Sequence, residues 1–507
     1  MDRTVGPTWP VFQVQARVRR WGQVELHLDL DSAPGRTLRA RTEHALREAV
    51  RGGRLVPGSR LPATRALATQ LGVSRGVVVE AYAQLAAEGY LDTRRGGGTR
   101  VAEHPTPPPA PPPSGVAGVA GVAGVAGVAG VAGGQGDAHA PRPKYDLRPS
   151  LPAVDGFPRA AWLGALTRVL REIPDQRLGY SDRQGEPELR AALTASLART
   201  RGVRAAEDQV LITGGLRDSL PLLWRLIGAR GARRVGVEHP GWWRIGASAQ
   251  EAGLKPVPVP TDDDGLDPAQ LHALDLDAVA VTPAHQFPTG AVLPAARRAA
   301  LVAWARDRGA LILEDDYDAE FRYDRQPVGS LQGLAPDLVV YGGSCSKTLA
   351  PALRLGWLVL PSTLVAELHA DDAFAPPGTP PTLDQLALAD LLARGDVDRH
   401  LRRQRLRYAR RRAALLDALA EQLPGLAVRG AAAGLFAVLL LAPGQDEAAA
   451  AAAAARHGIA LEPLRAPGRS GLVVGYANLP EAGAPAAVRA LAQALGETAA
   501  PRADVST

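Results

Sequence analysis

The chain of 507 residues has little of what a secreted or membrane protein needs. Its one cysteine, Cys345, excludes an internal disulfide framework, and no Cys/His cluster has the spacing of a zinc site, so we expect no metal. No apolar run reaches the ~18 residues of a spanning helix. The start, from Met1 to Trp21, has no signal-peptide core. These absences predict a bacterial-type cytoplasmic protein without a membrane partner.

Positive charge is present but is unevenly distributed. The net charge is +6, and residues 36–101 alone hold twelve arginines against five acidic residues, a balance of +7. The remainder is therefore about neutral. A small module that carries all the excess positive charge indicates a polyanionic partner. The alternative at this point is a surface that is merely rich in arginine.

A low-complexity stretch divides the chain. Residues 105–113 are rich in proline, and six Gly-Val-Ala triplets follow from Gly115 to Ala132. The triplets are too few for a collagen helix and carry no proline, so we interpret residues 103–144 as a flexible linker. It separates a module at 24–102 from a larger one at 145–507, and residues 1–23 stay unassigned.

The first module has the pattern of three helices and a hairpin. Apolar spacing predicts a helix over 37–51, a turn at 55–58, and a short helix that Thr64 caps and Gly72 ends. Ser74 is the expected cap of a third helix that runs to Ala87. A hairpin follows over 90–101, with glycines 96–98 at its tip. This order predicts a winged helix-turn-helix.

The basic residues of this module suit a double-stranded DNA operator. Arg75 and Gly76 open the third helix, where a recognition helix meets base edges, and arginine pairs well with guanine. The remaining predicted DNA-contacting residues are Arg60, Thr64, Arg65, Ser74, Arg94, Arg95 and Arg100, whose arginines would contact phosphates. The alternative is a winged helix that binds protein instead.

Residues 36–101 closely resemble the GntR family of bacterial regulators. The resemblance is carried by Leu-Pro-Ala-Thr-Arg at 61–65, Leu-Gly-Val-Ser-Arg at 71–75 and Leu-Ala-Ala-Glu-Gly-Tyr-Leu at 85–91. Family members often have Asn-Thr after the Ser-Arg, whereas this chain has Gly76 and Val77. Gly97 replaces a common serine of the wing. Both departures are expected to change operator preference and to leave the fold intact.

The second module alternates strand-like and helix-like stretches. Strands are predicted at 209–213, 234–238, 278–282, 311–314 and 338–341, with helices between them. This pattern predicts an α/β fold with a mostly parallel sheet over 145–365. A long Arg-rich helix at 398–419 and strands near 435–441 and 471–476 predict a smaller α+β subdomain over 366–507. The arginine run at 402–412 is interpreted as a solvated helix face.

Side chains that follow the predicted strands match the needs of pyridoxal 5'-phosphate. Lys347 would hold the aldehyde as a Schiff base, Asp315 would keep the pyridine nitrogen protonated, and Trp242 would cover the ring. The phosphate would be held by Thr213, Gly214, Gly215, Ser344, Ser346 and Arg354. Tyr317 is expected at the phenolic oxygen, whereas Asp316 and Asp318 are expected to be solvated or capping residues.

Residues 145–495 resemble fold-type I aminotransferases, and the whole chain resembles MocR-type regulators. The resemblance rests on His-Gln-Phe-Pro-Thr-Gly at 285–290, Glu-Asp-Asp-Tyr-Asp at 314–318 and Ser-Lys-Thr-Leu-Ala-Pro at 346–351. It implies a homodimer in which Tyr180 reaches the partner's cofactor phosphate. Phe287 stands where an asparagine is common, so His285 and Gln286 are the candidate substitutes.

The resemblance also implies a site for the carboxylate of an amino acid. Aminotransferases carry an arginine for it in the strand before the last helix, but the strand here reads Leu-Val-Val-Gly-Tyr at 472–476. Arg465 and Arg469 lie just upstream and are the candidates. We therefore predict a regulator that binds operator DNA and senses the cofactor or a small amine through a Lys347 aldimine. The alternatives are an active aminotransferase with an accessory DNA-binding domain, and a regulator whose second module only dimerises.

Overall fold

The structure is a computed structural model that describes residues 28, 30, 37–51, 55–87, 90–94, 98–102, 143–149, 151–180, 182–323, 329–371, 374 and 378–499. Three parts of the chain discussed above lie outside these ranges: residues 1–23, the Gly-Val-Ala triplets and Arg95. The chain divides into two compact units, one of residues 1–86 and 90–104 and one of residues 87–89 and 105–507. We call them the winged unit and the aminotransferase-like unit.

The winged unit contains the expected helices and hairpin. Its elements are α1 (Leu38–Arg51), α2 (Thr64–Leu71), α3 (Arg75–Ala87), β1 (Leu91–Arg94) and β2 (Gly98–Val101), with the two strands antiparallel. Leu46, Leu67, Val78 and Leu85 are fully buried between the elements. The Tyr82 hydroxyl donates to the Pro62 carbonyl at 2.9 Å, which ties α3 to the segment before α2.

Of the two predicted ends of α2, the C-terminal end is confirmed and the N-terminal cap is wrong. Gly72 ends the helix in the left-handed conformation at φ 64°, as predicted, because a glycine adopts this conformation at little cost. Thr64 is not the cap, since the helix begins at Thr64 and Ala63 precedes it without a side-chain hydrogen bond. Ser74 does cap α3, and its Oγ accepts from the Val77 amide at 3.4 Å.

The aminotransferase-like unit has a large and a small subdomain. Strand β3 (Tyr145–Asp146) comes first and pairs with Ile459–Ala460 of the small subdomain. The large subdomain contains α4 (Arg159–Glu172), α5 (Pro187–Arg201), β4 (Val210–Thr213), α6 (Leu216–Ala229), β5 (Arg234–His239), α7 (Trp243–Glu251), β6 (Lys255–Asp262), β7 (Gly265–Leu266), β8 (Ala278–Val281), α8 (Ala295–Arg308), β9 (Leu311–Asp315), β10 (Val339–Ser344), α9 (Cys345–Thr348), β11 (Gly356–Val359), α10 (Ser362–Ala370) and α11 (Thr382–Ala393). The small subdomain contains α12 (Asp396–Gln422), β12 (Ala427–Arg429), β13 (Phe436–Leu440), α13 (Glu447–Arg456), β14 (Ile459–Ala460), β15 (Glu462–Pro463), β16 (Gly471–Gly475) and α14 (Ala484–Ala499).

The large sheet has the strand order β4-β11-β10-β9-β8-β5-β6-β7 in the described residues. The five strands from β10 to β6 are parallel, as predicted, whereas β11 runs antiparallel to both β4 and β10. Because parallel strands end at the same edge, Asp315, Ser344 and the residues after β5 and β8 meet there. Thr213 reaches this edge too, since Gly356 pairs with both Thr213 and Ser344.

Strand β6 was not predicted, and its composition explains why. It carries prolines at 256, 258 and 260, which usually exclude a strand from a sheet interior. Alternate amides of a strand point to opposite edges, and the Lys255 amide points toward Arg233 beside β5. The three prolines therefore leave their missing N–H groups on the other edge, where they cost no bond to β5.

The small sheet has the order β12-β13-β16-β15. One face packs with α12, α13 and α14 through buried residues such as Leu415, Ala453 and Leu491. The opposite face packs onto the large subdomain at Phe287 and Tyr317, and we call it the covering face; it consists of Phe436, Val438, Leu464 and Val473. Among the helices that the structure describes, none is long and apolar enough to cross a membrane.

Candidate functional sites

Lys347 lies one turn after the carboxyl end of β10. The hydroxyl of Ser344 caps α9 by accepting from the Ser346 amide at 3.3 Å, so a tight turn projects Lys347 from the sheet edge. Burial lowers the pKa of Lys347, while Asp318 and Asp315 act in the opposite direction. A lowered pKa increases the neutral fraction of the amine, which is the form that condenses with an aldehyde.

Asp315 is a buried carboxylate that faces this lysine. It ends β9 and is 8% exposed, and no hydrogen bond to it is present within the described residues. Burial, together with Asp316 and Asp318, raises the pKa of Asp315 to about 8, and Lys347 acts against this shift. A buried acid without a cationic partner is costly. A protonated ring nitrogen would remove that cost, so Asp315 fits the cofactor's pyridine.

The amino end of α6 forms a cup suited to a phosphate. The Thr213 hydroxyl accepts from the Gly215 amide at 3.3 Å and from the Ser219 hydroxyl at 2.8 Å. Gly215 has φ 107°, and a side chain at Gly356 would collide with it. The backbone thus comes close to the helix end, where N–H groups favour an anion. This cradle fits the phosphate of the cofactor.

An anion already occupies part of this cup. The carboxylate of Asp218 accepts a hydrogen bond from Arg354, and a side chain at Gly214 would collide with it. Arg354 itself has φ 50°, which is unusual for a residue with a side chain. Asp218 was not predicted from the sequence, although an acidic residue in the first turn of a helix is a recognisable signal. The Asp218 carboxylate therefore lies between the Arg354 guanidinium and the backbone of Gly214.

His285 and Tyr317 are joined to each other and to the small subdomain. The Tyr317 hydroxyl donates to the His285 carbonyl at 2.9 Å, and the His285 Nδ1 lies 2.9 Å from Asp318. The His285 ring packs on Phe436 with 4.7 Å between the ring centroids. Its Nε2 is buried and has no hydrogen-bond partner in the described chain. His285 therefore contacts the covering face, and Asp318 is a buried partner rather than the solvated residue expected from the sequence.

Glu238 is a half-buried acid that was not predicted as a site residue. Its Oε2 accepts from the Thr282 hydroxyl at 2.5 Å and from Gln286 Nε2 at 3.3 Å. Burial raises the pKa of Glu238 to about 7, although these hydrogen bonds lower it. The contacts fix the loop after β5, which leads to the half-buried Trp242, against the loop after β8. One acidic residue at the end of an apolar strand was the available signal.

Asp316 is also buried, which corrects the expectation that it is solvated. Arg201 donates to it through Nε at 2.6 Å and Nη2 at 3.0 Å, and the Tyr341 hydroxyl donates at 2.6 Å. Arg201 and Asp316 are each 1% exposed. The pair anchors the backbone next to Asp315. Its partners are 115 residues apart, so the local pattern gave no signal for it.

Three further predicted residues of this unit, Arg465, Arg469 and Tyr180, have no described contact with Lys347 or Asp315. Arg469 forms an ion pair with Asp263 at 2.5 Å. Arg465 is exposed, has φ 56°, and donates its backbone amide to Glu447 at 2.8 Å. Tyr180 is fully exposed and makes no contact that the structure describes. A carboxylate clamp therefore has Arg465 as its better candidate, since Arg469 already has a partner.

The winged unit presents its basic residues on the surface. Arg65, Ser74, Arg75 and Gly76 are exposed at the starts of α2 and α3. The Arg75 Nε lies 3.5 Å from the Thr64 hydroxyl, so the two helix starts are adjacent. In the hairpin, Arg100 donates to the Gly58 carbonyl at 3.1 Å, and the Arg60 guanidinium lies against Gly98. Arg94 is in β1 with a side chain outside the described part, as is all of Arg95.

Comparison with known proteins places both units in described families. Residues 155–491 match the family of aminotransferases of class I and II, and residues 38–101 match bacterial regulatory proteins of the gntR family. The HTH-type pyridoxine biosynthesis transcriptional regulator PdxR of Corynebacterium glutamicum is 37% identical over 79% of this chain and 83% of its own length. The probable rhizopine catabolism regulatory protein MocR of Rhizobium meliloti is 32% identical over 86% of this chain and 89% of its own.

Among solved structures, the chain is similar to the α-aminoadipate aminotransferase LysN of Thermus thermophilus. The two share 28% identity and a TM-score of 0.60, over 70% of this chain and 92% of LysN. That structure holds N-(5'-phosphopyridoxyl)-L-leucine. The aminotransferase-like fold predicted from the sequence is thereby confirmed.

Proposed function

Because the chain belongs to the MocR-type family of HTH-type transcriptional regulators, which join a gntR-family domain to an aminotransferase class I and II domain, we propose that its DNA binding responds to pyridoxal 5'-phosphate. The observation that carries the proposal is buried Asp315 beside Lys347, since no hydrogen bond to its carboxylate is present among the described residues. When bound, the cofactor supplies an electrophilic carbon that captures primary amines. A small amine or amino acid is therefore a second candidate signal at the same site.

In the proposed arrangement each part of the site has one task. Lys347 holds the cofactor covalently, Asp315 keeps a proton on its ring nitrogen, and Trp242 covers the ring. The phosphate is held by Thr213, Gly214, Gly215, Ser344, Ser346 and Arg354, which supply hydroxyl, amide and guanidinium donors. Tyr317 is the residue at the phenolic oxygen: its one hydroxyl hydrogen, which is donated to the His285 carbonyl in the chain without cofactor, would be redirected to that oxygen.

In the winged unit, Arg75 and Gly76 contact the base edges of an operator. The protein acts in the cytoplasm. The phosphates are contacted by Arg60, Arg65, Arg94, Arg95 and Arg100, together with the hydroxyls of Thr64 and Ser74. We propose a homodimer, because two copies of one reader match an operator with two half-sites. In it, Tyr180 reaches the partner's phosphate cup, which accounts for its full exposure in a single chain.

Regulation requires that the ligand bind one arrangement of the protein better than another. In this proposal the occupied site changes how readily two winged units reach their half-sites at the same time. The linker at 103–144 limits their separation. Its length therefore sets the operator spacing that the dimer prefers.

The test is fluorescence anisotropy with the full chain and the DNA beside its own gene, with and without bound cofactor. We expect tight, salt-sensitive binding that changes when the cofactor is removed. Lys347→Ala is the matched variant: it should lose the visible cofactor band and bind DNA identically under both conditions. Binding of wild type that ignores the cofactor would contradict the proposal. Repeated transfer of amino groups from a donor to a keto acid would favour the aminotransferase alternative.

A further inference from the structure

The small subdomain directs a carboxylate toward the reactive lysine. Glu462 in β15 lies opposite Val473 of β16 in an antiparallel pair. Residues opposite each other in such a pair point to the same side of a sheet. Val473 belongs to the covering face, which packs against Phe287 and Tyr317. Glu462 therefore points to the side of the small sheet that closes over the cofactor site.

Electrostatics agree with this placement. Glu462 is one of three carboxylates, with Asp318 and Asp315, that raise the pKa of Lys347 against the effect of burial. Burial in turn raises the pKa of Glu462, while Arg465, Arg148 and Lys347 lower it through space. The half-buried acid and the reactive amine are thus close enough for their charges to interact.

The neighbouring cations do not pair with Glu462. Arg148 directs its Nε and Nη2 to Asp146, at 2.8 and 2.5 Å. Arg465 is exposed, and its charge affects Glu462 without a hydrogen bond. In the part of the chain that the structure describes, the Glu462 carboxylate makes no ion pair. A partly desolvated carboxylate of this kind favours any ligand that brings a cation to it.

We propose that Glu462 selects amines that carry a second positive charge, such as diamines and basic amino acids. The proposal rests on the proposed function, since the first amine of the ligand has to replace Lys347 on the cofactor. The exchange is balanced: a carbon–nitrogen double bond to Lys347 is replaced by one to the ligand, and the two hydrogens of the ligand amine pass to the lysine. The second nitrogen then pairs with Glu462, and Arg465 meets the carboxylate of a basic amino acid.

The same geometry disfavours acidic ligands. A carboxylate at the far end of the ligand would meet Glu462, and like charges brought together in a partly buried site repel strongly. A neutral chain would leave Glu462 without a partner. The expected order of affinity is therefore cationic, then neutral, then anionic.

The test uses three amino acids of similar length on the cofactor-loaded full chain: L-lysine, L-norleucine and L-2-aminoadipate. The shift of the visible cofactor band gives the half-saturation concentration, and the shift of the melting temperature provides a second readout. We expect L-lysine to bind about 10- to 100-fold more tightly than L-norleucine, the range of a charge-assisted contact. L-2-Aminoadipate should bind more weakly than L-norleucine.

Glu462→Gln keeps the shape of the side chain and removes its charge, so it should reduce the preference for L-lysine to within about threefold. Glu481→Gln is the matched control, because it removes a carboxylate of the same subdomain whose partner is Arg410, and it should keep the wild-type order. A cofactor band of normal intensity shows that each variant is folded at the site.

The outcomes separate this inference from the proposed function. A wild-type chain without a Lys347-dependent band contradicts the proposed function and the inference together. A band that shifts equally with all three amino acids contradicts the inference alone. A preference for L-lysine that survives in Glu462→Gln also overturns it, since another group would then recognise the second nitrogen.

Discussion

The two units hold their arginines in opposite ways. In the aminotransferase-like unit, Arg201 is 1% exposed and paired with Asp316, and buried Arg298 donates to three backbone carbonyls between 2.8 and 2.9 Å. In the winged unit, Arg60, Arg75 and Arg100 are exposed. Buried charges have to be fully partnered, whereas exposed ones stay available at little cost. The buried arginines therefore stabilise the fold, whereas the exposed arginines of the winged unit are available to bind a polyanion.

Breaking the buried pair is the severest test of this comparison. Asp316→Ala takes away the carboxylate that accepts from the buried Arg201 and Tyr341 side chains, so we expect a loss of about 3–5 kcal/mol in the free energy of unfolding. Chemical denaturation of the aminotransferase-like unit measures it. Asp398→Ala is the control, because its partner Arg199 is 55% exposed, and it should cost no more than about 1 kcal/mol. Equal losses in both variants would mean that burial does not determine how much an ion pair contributes to the free energy of unfolding.

A buried charge should also be visible in the dependence of stability on pH. The folded state keeps a proton on Glu238 up to a pH of about 7, its raised pKa, whereas the unfolded chain loses it near the ordinary value of 4.5. Between these values the folded state binds more protons, so stability falls as the pH rises and levels off above about 7.

Glu238→Gln removes this contribution, which is on the order of 3 kcal/mol across the window. The measurement is the free energy of unfolding from pH 4.5 to pH 8 in wild type and variant. The difference between the two curves isolates Glu238 from Asp315, whose pKa is raised as well. Parallel curves would show that Glu238 does not titrate in this range.

The exposed arginines should affect binding and leave stability unchanged. Arg75→Ala is expected to weaken binding to the specific operator by about 1–3 kcal/mol and to relax preference at one position. Arg65→Ala should weaken binding to every DNA sequence equally and reduce the salt slope by about one unit. Anisotropy on specific and random DNA distinguishes the two. A uniform loss with Arg75→Ala would make Arg75 a phosphate contact.

The smallest effect on stability is expected from an exposed ion pair of the aminotransferase-like unit. Arg410 and Glu481 are 63% and 45% exposed, 3.1 Å apart. Arg410→Ala should change the free energy of unfolding by less than about 1 kcal/mol. A larger loss would show that the stabilising effect of an ion pair depends on the unit that contains it and not on its burial. The contrast between buried and exposed arginines would then be wrong.

The sequence predicted the residues whose role is set by what lies beside them in the chain. Lys347 and Asp315 follow apolar strands, and their position at the sheet edge comes directly from that order. Arg201 and Asp316 could not be matched, because only the folded chain brings residues 115 positions apart together. The run at 314–318 does not tell which of its acids face inward, so Asp316 and Asp318 were wrongly expected in solvent.

The sheet shows the same limit. The prolines of β6 argued against a strand, since the position of their missing N–H groups depends on which neighbour the strand has. The antiparallel β11 was hidden too, because strand direction is a property of the sheet and not of the segment. Glu462 was overlooked as one acid in a short strand, and only its register with Val473 gives it a direction.

The pairing of Asp218 with Arg354 has a consequence for how long a cofactor stays bound. Both side chains are partly exposed, at 40% and 54%, so opening the pair costs no more than about 1 kcal/mol. The charges at the proposed phosphate cup therefore already balance in the chain without cofactor. A departing phosphate meets an internal replacement at once. Under the proposed function, loading and unloading would be a reversible exchange of one anion for another, which would allow occupancy to follow the concentration of free cofactor.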